Sequence, residues 1–337
     1  MSLLFQSPAA GPFGRRQARA RGARVPVIVL TGFLGAGKTT LLRYFLTTAD
    51  GRGTAVVVNE FGEAGIDDAL LRQSTDAVSL LGNGCVCCVV RTDLERTLRA
   101  LAADRERGAI PDFTRIVIET SGLADPGPIL QSFASDRALG DAFHIEAVAA
   151  VVDAATGMAT LETATEARKQ VILADRVVLT KTDLAEPPQI AALAARLKGL
   201  NPRAAVVQAV MGRAEPAVLL DPASPERSVF VAEAEHGDGI GSFVLRAAEP
   251  LPWSTFARAM DTLTALRGPD LLRVKGLLNV AGCQGPVLVE FVQHLAHVPV
   301  ELECWPDRTR ESRLVFITRN IAESNVRALF AAISALG

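Results

Sequence analysis

Apolar and polar positions change their rhythm along this chain. From Val25 onward, short β-branched apolar runs alternate with stretches whose apolar residues recur at helical spacing. The runs predict strands at Val27–Leu30, Ala55–Asn59, Val78–Leu81, Arg115–Glu119, Ala147–Val152, Val177–Thr180 and Ala205–Val207. Most of them are continuously apolar, the pattern of strands buried on both faces. Helical spacing predicts helices at Lys38–Thr48, Leu94–Asp104 and Pro188–Leu197. Strand and helix in alternation imply an α/β fold, a mostly parallel sheet with helices on both sides.

The rhythm breaks at 211–240. Pro216, Pro222 and Pro225 lie close together there, followed by Glu233, Glu235, His236 and Asp238, and the segment reads as a linker. Beyond it the pattern predicts a strand (Phe243–Arg246), a helix (Ser254–Leu266), two or three strands (Leu271–Val280, Pro286–Val292, Val300–Cys304), a strand (Leu314–Thr318) and a last helix (Ala322–Leu336). The expected organisation is a first domain over 25–210 and a smaller α+β domain over 241–337. Residues 1–24 carry five arginines and no acid, interrupted by Pro and Gly. They read as a disordered tail or a misplaced start, with a transit peptide as the alternative composition.

Composition narrows the function classes. The 337 residues are 49% hydrophobic and 21% charged, a globular balance. At one domain per ~150 residues, that length implies about two. A net charge of −2 favours neither nucleic acid nor an anionic membrane as partner. Charges interrupt every apolar run before the ~20 residues that a spanning helix needs. The basic residues are almost all arginine, so the five lysines (Lys38, Lys169, Lys181, Lys198 and Lys275) are informative. The cysteines number five, and Cys85, Cys87 and Cys88 fall in one four-residue window. That is a thiolate cluster in a reducing, cytoplasmic setting rather than a disulfide framework.

Gly32-Phe33-Leu34-Gly35-Ala36-Gly37-Lys38-Thr39 matches the P-loop pattern, with a strand before it and a helix after it. Glycines let backbone N–H groups close around phosphate oxygens, and the helix N-terminus adds positive charge. Lys38 is placed to reach the β- and γ-phosphates, and the Thr39 hydroxyl to ligate Mg²⁺, with Gly35, Ala36, Gly37 and Thr40 completing the cradle. The bland reading of the same residues is a tight Gly-rich turn. Glu119, at the end of Arg115–Glu119, supplies the second metal-side carboxylate, and Gly122 would let its N–H approach the γ-phosphate; an ordinary acidic strand end is the alternative. Thr180-Lys181-Thr182-Asp183 closes another strand. A carboxylate at Asp183 can accept both guanine N1–H and the N2 amino group, and adenine offers neither donor. Lys181 would pack its stem along the base.

Gly82-Asn83-Gly84-Cys85-Val86-Cys87-Cys88 offers two or three ligands to a soft or borderline cation such as Zn²⁺. A redox pair and buried small hydrophobes are the alternatives. A local cluster cannot complete a tetrahedron, so a further ligand must come from elsewhere, and Glu60 and Glu63 lie after the preceding strand. Cys283 and Cys304 are isolated and read as structural. His294 and His297 sit in an apolar context that reads as strand rather than as a ligand pair on a helix, and His236 lies in the linker.

These segments together resemble the CobW family of P-loop GTPases, the metal-handling group that includes relatives of the urease and hydrogenase nickel-insertion GTPases. The resemblance is carried by Gly32–Thr40, Val58–Glu63, Gly82–Cys88, Glu119–Gly122 and Thr180–Asp183, and in the second domain by Leu272–Gly276 and Leu314–Ile317. It implies GTP hydrolysis coupled to delivery of Zn²⁺ or Co²⁺ to a client metalloprotein or cofactor pathway. It also implies that Cys87 and Cys88 bind the metal, that Cys85 commonly joins them, and that carboxylates of the Glu60–Glu63 loop, Glu63 foremost, are auxiliary ligands. Thr180 departs from the family's Asn, and the chain lacks the His-rich tract of a storage protein. The resulting expectation is a Mg²⁺-dependent GTPase acting as a metallochaperone. A small-molecule kinase or ATPase, and a nucleotide-binding metal buffer, are the rival readings. Oligomeric state is left open, with a dimer among the options.

Overall fold

The computed structural model describes residues 24–59, 78–81, 85–90, 94–202, 204–220, 234–235, 240–292, 295–297, 299–302, 304–305 and 309–335. They divide into two compact units, one mainly from Val25–Ser132 and Arg137–Ser224, the other mainly from Pro225–Gly337.

The first unit runs β1 (Val25–Gly32), α1 (Lys38–Thr47), β2 (Thr54–Asn59), β3 (Val78–Leu81), β4 (Cys85–Val90), α2 (Leu94–Glu106), β5 (Arg115–Thr120), α3 (Gly127–Ser135), α4 (Arg137–Ala142), β6 (Phe143–Asp153), α5 (Gly157–Thr163), α6 (Thr165–Leu173), β7 (Arg176–Thr180), α7 (Pro187–Leu200), β8 (Ala205–Gln208) and α8 (Ala217–Leu220). Its sheet has the order β3-β4-β2-β5-β1-β6-β7-β8. Every neighbouring pair is parallel except β3–β4. The continuous apolar runs explain this: Val27, Val29 and Leu30 of β1 and Ile116, Val117 and Ile118 of β5 are fully buried, as strands covered on both faces must be. Helix α1 buries Lys38, Leu41, Leu42 and Phe45, one stripe at helical spacing.

The sequence pattern omitted one strand. Cys85–Val90 is β4, paired parallel to β2 (Val56↔Cys87, Val57↔Cys88) and antiparallel to β3 (Ser79↔Cys87, Leu81↔Cys85). The three cysteines that offer metal ligands therefore lie on the backbone of an inner strand. Residues 211–220, whose proline suggested linker, pack on the first unit. Leu219 is buried in the cluster formed by α1 and the central strands, and Arg176 donates to Val218 O at 2.7 Å.

The second unit contains β9 (Ala234–Glu235), β10 (Ile240–Ala247), α9 (Trp253–Arg267), β11 (Leu271–Leu278), β12 (Val287–Val292), β13 (Leu295–Ala296), β14 (Val300–Glu301), β15 (Ser312–Arg319) and α10 (Glu323–Ala335). Its antiparallel sheet has the order β13-β12-β11-β15-β10-β9, with β14 beside β12. One core joins sheet and helices, with Phe243 stacked on Phe316 at 5.2 Å and Phe256 tilted against Phe330 at 6.2 Å. Arg273 and Glu290 form an ion pair at 2.6 Å, both side chains nearly inaccessible. No described helix is long and apolar enough to cross a membrane.

Candidate functional site

Strand order gathers the candidate residues. β5, β1, β6 and β7 are successive neighbours, and Glu119, the P-loop, Asp153 and Thr180 lie at or just beyond their C-terminal ends. Open parallel sheets place ligands at that edge, where the connections of neighbouring strands run to opposite faces.

The P-loop turns through left-handed backbone at Gly35 (φ 71°) and Gly37 (φ 95°), and helix α1 starts at Lys38. Side chains rarely adopt such φ values, which accounts for glycine at both positions. Lys38 Nζ donates to Gly32 O at 2.9 Å and Phe33 O at 3.3 Å, so its ammonium curls back over the loop. Thr39 Oγ1 donates to Glu119 Oε1 at 2.5 Å. Glu119 is buried, and next to it Thr120 Oγ1 donates to Thr31 Oγ1 of β1 at 3.0 Å. Gly122 lies against the P-loop: a Cβ there would sit 2.6 Å from the backbone nitrogen of Leu34. Ala36 is buried, whereas Thr40 is exposed.

The third segment is tied to the first. Thr180, buried at the end of β7, donates through Oγ1 to Ala36 O at 2.6 Å. The hydroxyl at this position therefore braces the phosphate loop directly. Lys181 has left-handed backbone (φ 54°) and its ammonium pairs with Asp153 Oδ2 at 2.7 Å. Burial alone would push the Asp153 carboxyl up. Hydrogen bonds from Lys181 and from the backbone N–H groups of Ala155 and Thr156 outweigh it and hold the carboxyl below its usual value. Asp183 lies in the following short turn, exposed. Asp153 is a candidate site residue that the sequence reading missed, although a carboxylate at the end of a buried strand is the signal that singled out Glu119. The turn Val210–Arg213 was also missed. It closes with Val210 N–H to Arg213 O at 3.1 Å and the reverse bond at 2.8 Å. It lies against α1, for a Cβ on Gly212 would be 2.7 Å from the Thr40 side chain.

For the thiols the structure gives backbone position alone. Cys85, Cys87 and Cys88 lie in β4, and their side chains, like the whole of Glu60 and Glu63, fall outside the described residues. Among the described residues no group of three or more His, Cys, Asp or Glu could hold a metal ion. Cys283 is half-buried against the second core, and burial followed by the nearby Glu301 pushes its thiol up to about 11. It is a neutral packing group at pH 7. Cys304 is exposed, and both thiols are free. His297 follows β13, its N–H donating to Glu290 O at 2.8 Å; His294 and His236 fall outside the described residues.

Residues 26–208 match the family described as CobW/HypB/UreG, nucleotide-binding domain, and residues 240–334 match the cobalamin synthesis protein cobW C-terminal domain. The chain is 36% identical over 317 residues to the zinc chaperone YjiA of Escherichia coli, covering 91% of this chain and 98% of that protein. It is 32% identical over 343 residues to the zinc chaperone CobW of Pseudomonas aeruginosa, covering 90% of each. Among solved structures, the Zn(II)-bound YjiA GTPase from E. coli superposes with a TM-score of 0.68 at 35% identity, over 92% of this chain and 99% of that one.

Proposed function

The chain belongs to the CobW/HypB/UreG family through its nucleotide-binding domain and carries a cobW C-terminal domain, and on that premise we propose that it hydrolyses GTP to govern the binding and release of Zn²⁺ for a client metalloprotein. In this reading the P-loop N–H groups from Gly35 to Thr40 and the α1 N-terminus hold the β- and γ-phosphates, and Lys38 moves from its loop carbonyls onto phosphate oxygen. Thr39 and Glu119 offer hard oxygen donors 2.5 Å apart, a set that fits Mg²⁺. That ion would neutralise charge on the phosphate oxygens. Asp183 selects guanine, Lys181 lies along the base, and Asp153 anchors Lys181. Thiolates of Cys85, Cys87 and Cys88, with Glu63, take Zn²⁺ as cargo, and Co²⁺ can take its place.

The observation that carries the reading is the sheet register. Glu119 of β5 is opposite Val58 of β2, and Val58 is opposite Val89 of β4. Cys88 is thus one residue from the row of Glu119 and two strands away, roughly 10 Å at ~4.8 Å per strand. At that separation, rearrangement around a γ-phosphate reaches the thiol strand through one intervening strand. Linkage then requires nucleotide to change metal affinity and metal to change nucleotide affinity by the same factor.

The test is a Co²⁺ titration with GTP analogue, GDP and no nucleotide. Thiolate coordination gives charge-transfer bands, tetrahedral geometry gives intense visible bands, and affinity falls with pH as protons compete. Affinity should be highest with the GTP analogue. Cys87→Ser with Cys88→Ser should erase the bands and leave GTP binding intact. Equal affinity in all three states would leave a passive metal site and sink the chaperone reading.

A further inference from the structure

The loop after β5, residues 121–126, carries Gly122 and is gripped from two sides. On one side it abuts Leu34 of the P-loop. On the other stands α6. Gln170 of that helix is 1% exposed, and its amide nitrogen donates to Gly122 O at 3.1 Å and to Ala124 O at 3.0 Å. The preceding residue, Lys169, pairs with Asp125 Oδ2 at 3.1 Å, while Asp125 Oδ1 accepts from Gly127 N–H at 2.8 Å.

Gln170 Oε1 has no hydrogen-bond partner among the described residues. The amide orientation is nevertheless fixed, because exchanging its oxygen and nitrogen would set an acceptor against two carbonyl oxygens. An unpaired buried oxygen is destabilising. An apolar side chain of the same length would avoid it, so packing does not account for glutamine here. What the amide supplies is a pair of donors to one loop, the loop whose Gly122 N–H faces the γ-phosphate in the GTPase reading.

We propose that Gln170 is a positioning residue for phosphoryl transfer, holding the 121–126 loop so that Gly122 meets the γ-phosphate. This rests on the GTPase reading above. Gln170 touches no reacting atom. It acts by fixing two carbonyls, which orients the peptide planes of the loop, and Lys169 secures the distal end through Asp125.

The decisive variant is Gln170→Met, which keeps length and packing, deletes both donors and also removes the unpaired oxygen. With GTP, its kcat should fall about tenfold or more, the scale on which small misplacements act. Affinity for a non-hydrolysable GTP analogue should fall, while affinity for GDP, which has no γ-phosphate, stays within about twofold. Gln170→Glu, which sets an acceptor against the two carbonyls, should lower kcat further. Wild-type kcat in Gln170→Met overturns the proposal. Equal losses for GDP and the analogue overturn it too, since they mark a merely structural role. Should Gln170→Met fail to fold in a thermal melt, Lys169→Met carries the same comparison. A half-buried ion pair of its kind predicts about a threefold fall in kcat, and no fall overturns the proposal. Wild type and Lys38→Ala run alongside. If wild type does not hydrolyse GTP, or Lys38→Ala matches it, the GTPase reading is what fails, and the Gln170 proposal falls with it.

Discussion

Thr39 and Glu119 stand 80 residues apart in the chain, yet the threonine hydroxyl donates to the Glu119 carboxylate across 2.5 Å. Parallel pairing of β5 with β1 brings them together: Glu119 is opposite Leu30, and the P-loop turns from the end of β1 into α1. The two oxygens meet beside the P-loop, where Lys38 donates to the carbonyls of Gly32 and Phe33. In the proposed reading the two oxygens face Mg²⁺ and the P-loop faces the phosphates beside it.

Lys38→Ala should lower GTP hydrolysis by roughly 10²–10³-fold, the loss typical of one preorganised charge-stabilising group. It should also weaken GTP binding. A phosphate-release assay on the purified variant measures the first effect and calorimetry the second. Wild-type turnover would remove Lys38 from the phosphate site.

Asp183→Asn exchanges an acceptor-only carboxylate for an amide that both donates and accepts. The amide keeps one acceptor and sets a donor against the other guanine donor, so at least one hydrogen bond to a charged group, at ~1.5–3 kcal/mol, is lost and GTP affinity should fall about tenfold or more. Xanthosine triphosphate should gain at the expense of GTP. Competition binding with the two nucleotides and ATP decides it, and an ATP affinity equal to that for GTP in the wild-type chain would refute base selection at Asp183.

A chain ending at Ser224 should bind GTP, because the phosphate and base segments lie before Leu184 and 211–220 are packed on the same unit. Ending it at Val210 removes Leu219, 2% exposed, and the carbonyl that Arg176 bonds. Burial of one leucine is worth about 1.5–3 kcal/mol, so the shorter chain should show a clearly lower denaturant midpoint. Equal midpoints, or no GTP binding by a folded 224-residue chain, would contradict this.

His297 should make the fold acid-sensitive. Burial, first, and then Arg273, Lys275 and Arg24 lower its proton affinity, against the opposing pull of Glu290. The unfolded chain, with its histidines near pH 6.5, then binds more protons than the folded one. The contribution is complete above about pH 6.5 and is lost as pH falls toward the folded-state value. Urea midpoints near pH 7.5 and about 5.5 should drop in wild type and drop less in His297→Gln. The same decline in both proteins would exclude His297 as the source.

The nucleotide motifs were legible because each is short, local and chemically demanding. Gly35 and Gly37 are needed where φ is positive, and the continuous apolar run before them can only be a buried strand. The strand β4 was not legible as such. Three cysteines drew the reading toward ligands, although Gly82-Asn83-Gly84 between β-prone runs is also a hairpin signal and β3 and β4 do pair antiparallel. The Pro216 region read as linker because composition does not reveal that Leu219 has a core to enter.

The sequence by itself determined which residues handle phosphate, base and metal in this reading, since those roles depend on side-chain chemistry and spacing within a few positions. Tertiary structure alone decided their mutual geometry: Thr39 on Glu119, Thr180 on Ala36, Lys181 on Asp153, and Gln170 on the Gly122 loop. Each of these contacts spans 28 residues or more. They follow from the strand order β5-β1-β6-β7, which is set by how buried strands and covering helices exclude water together. No local pattern encodes that order, because it is a property of the packed sheet and not of any one strand.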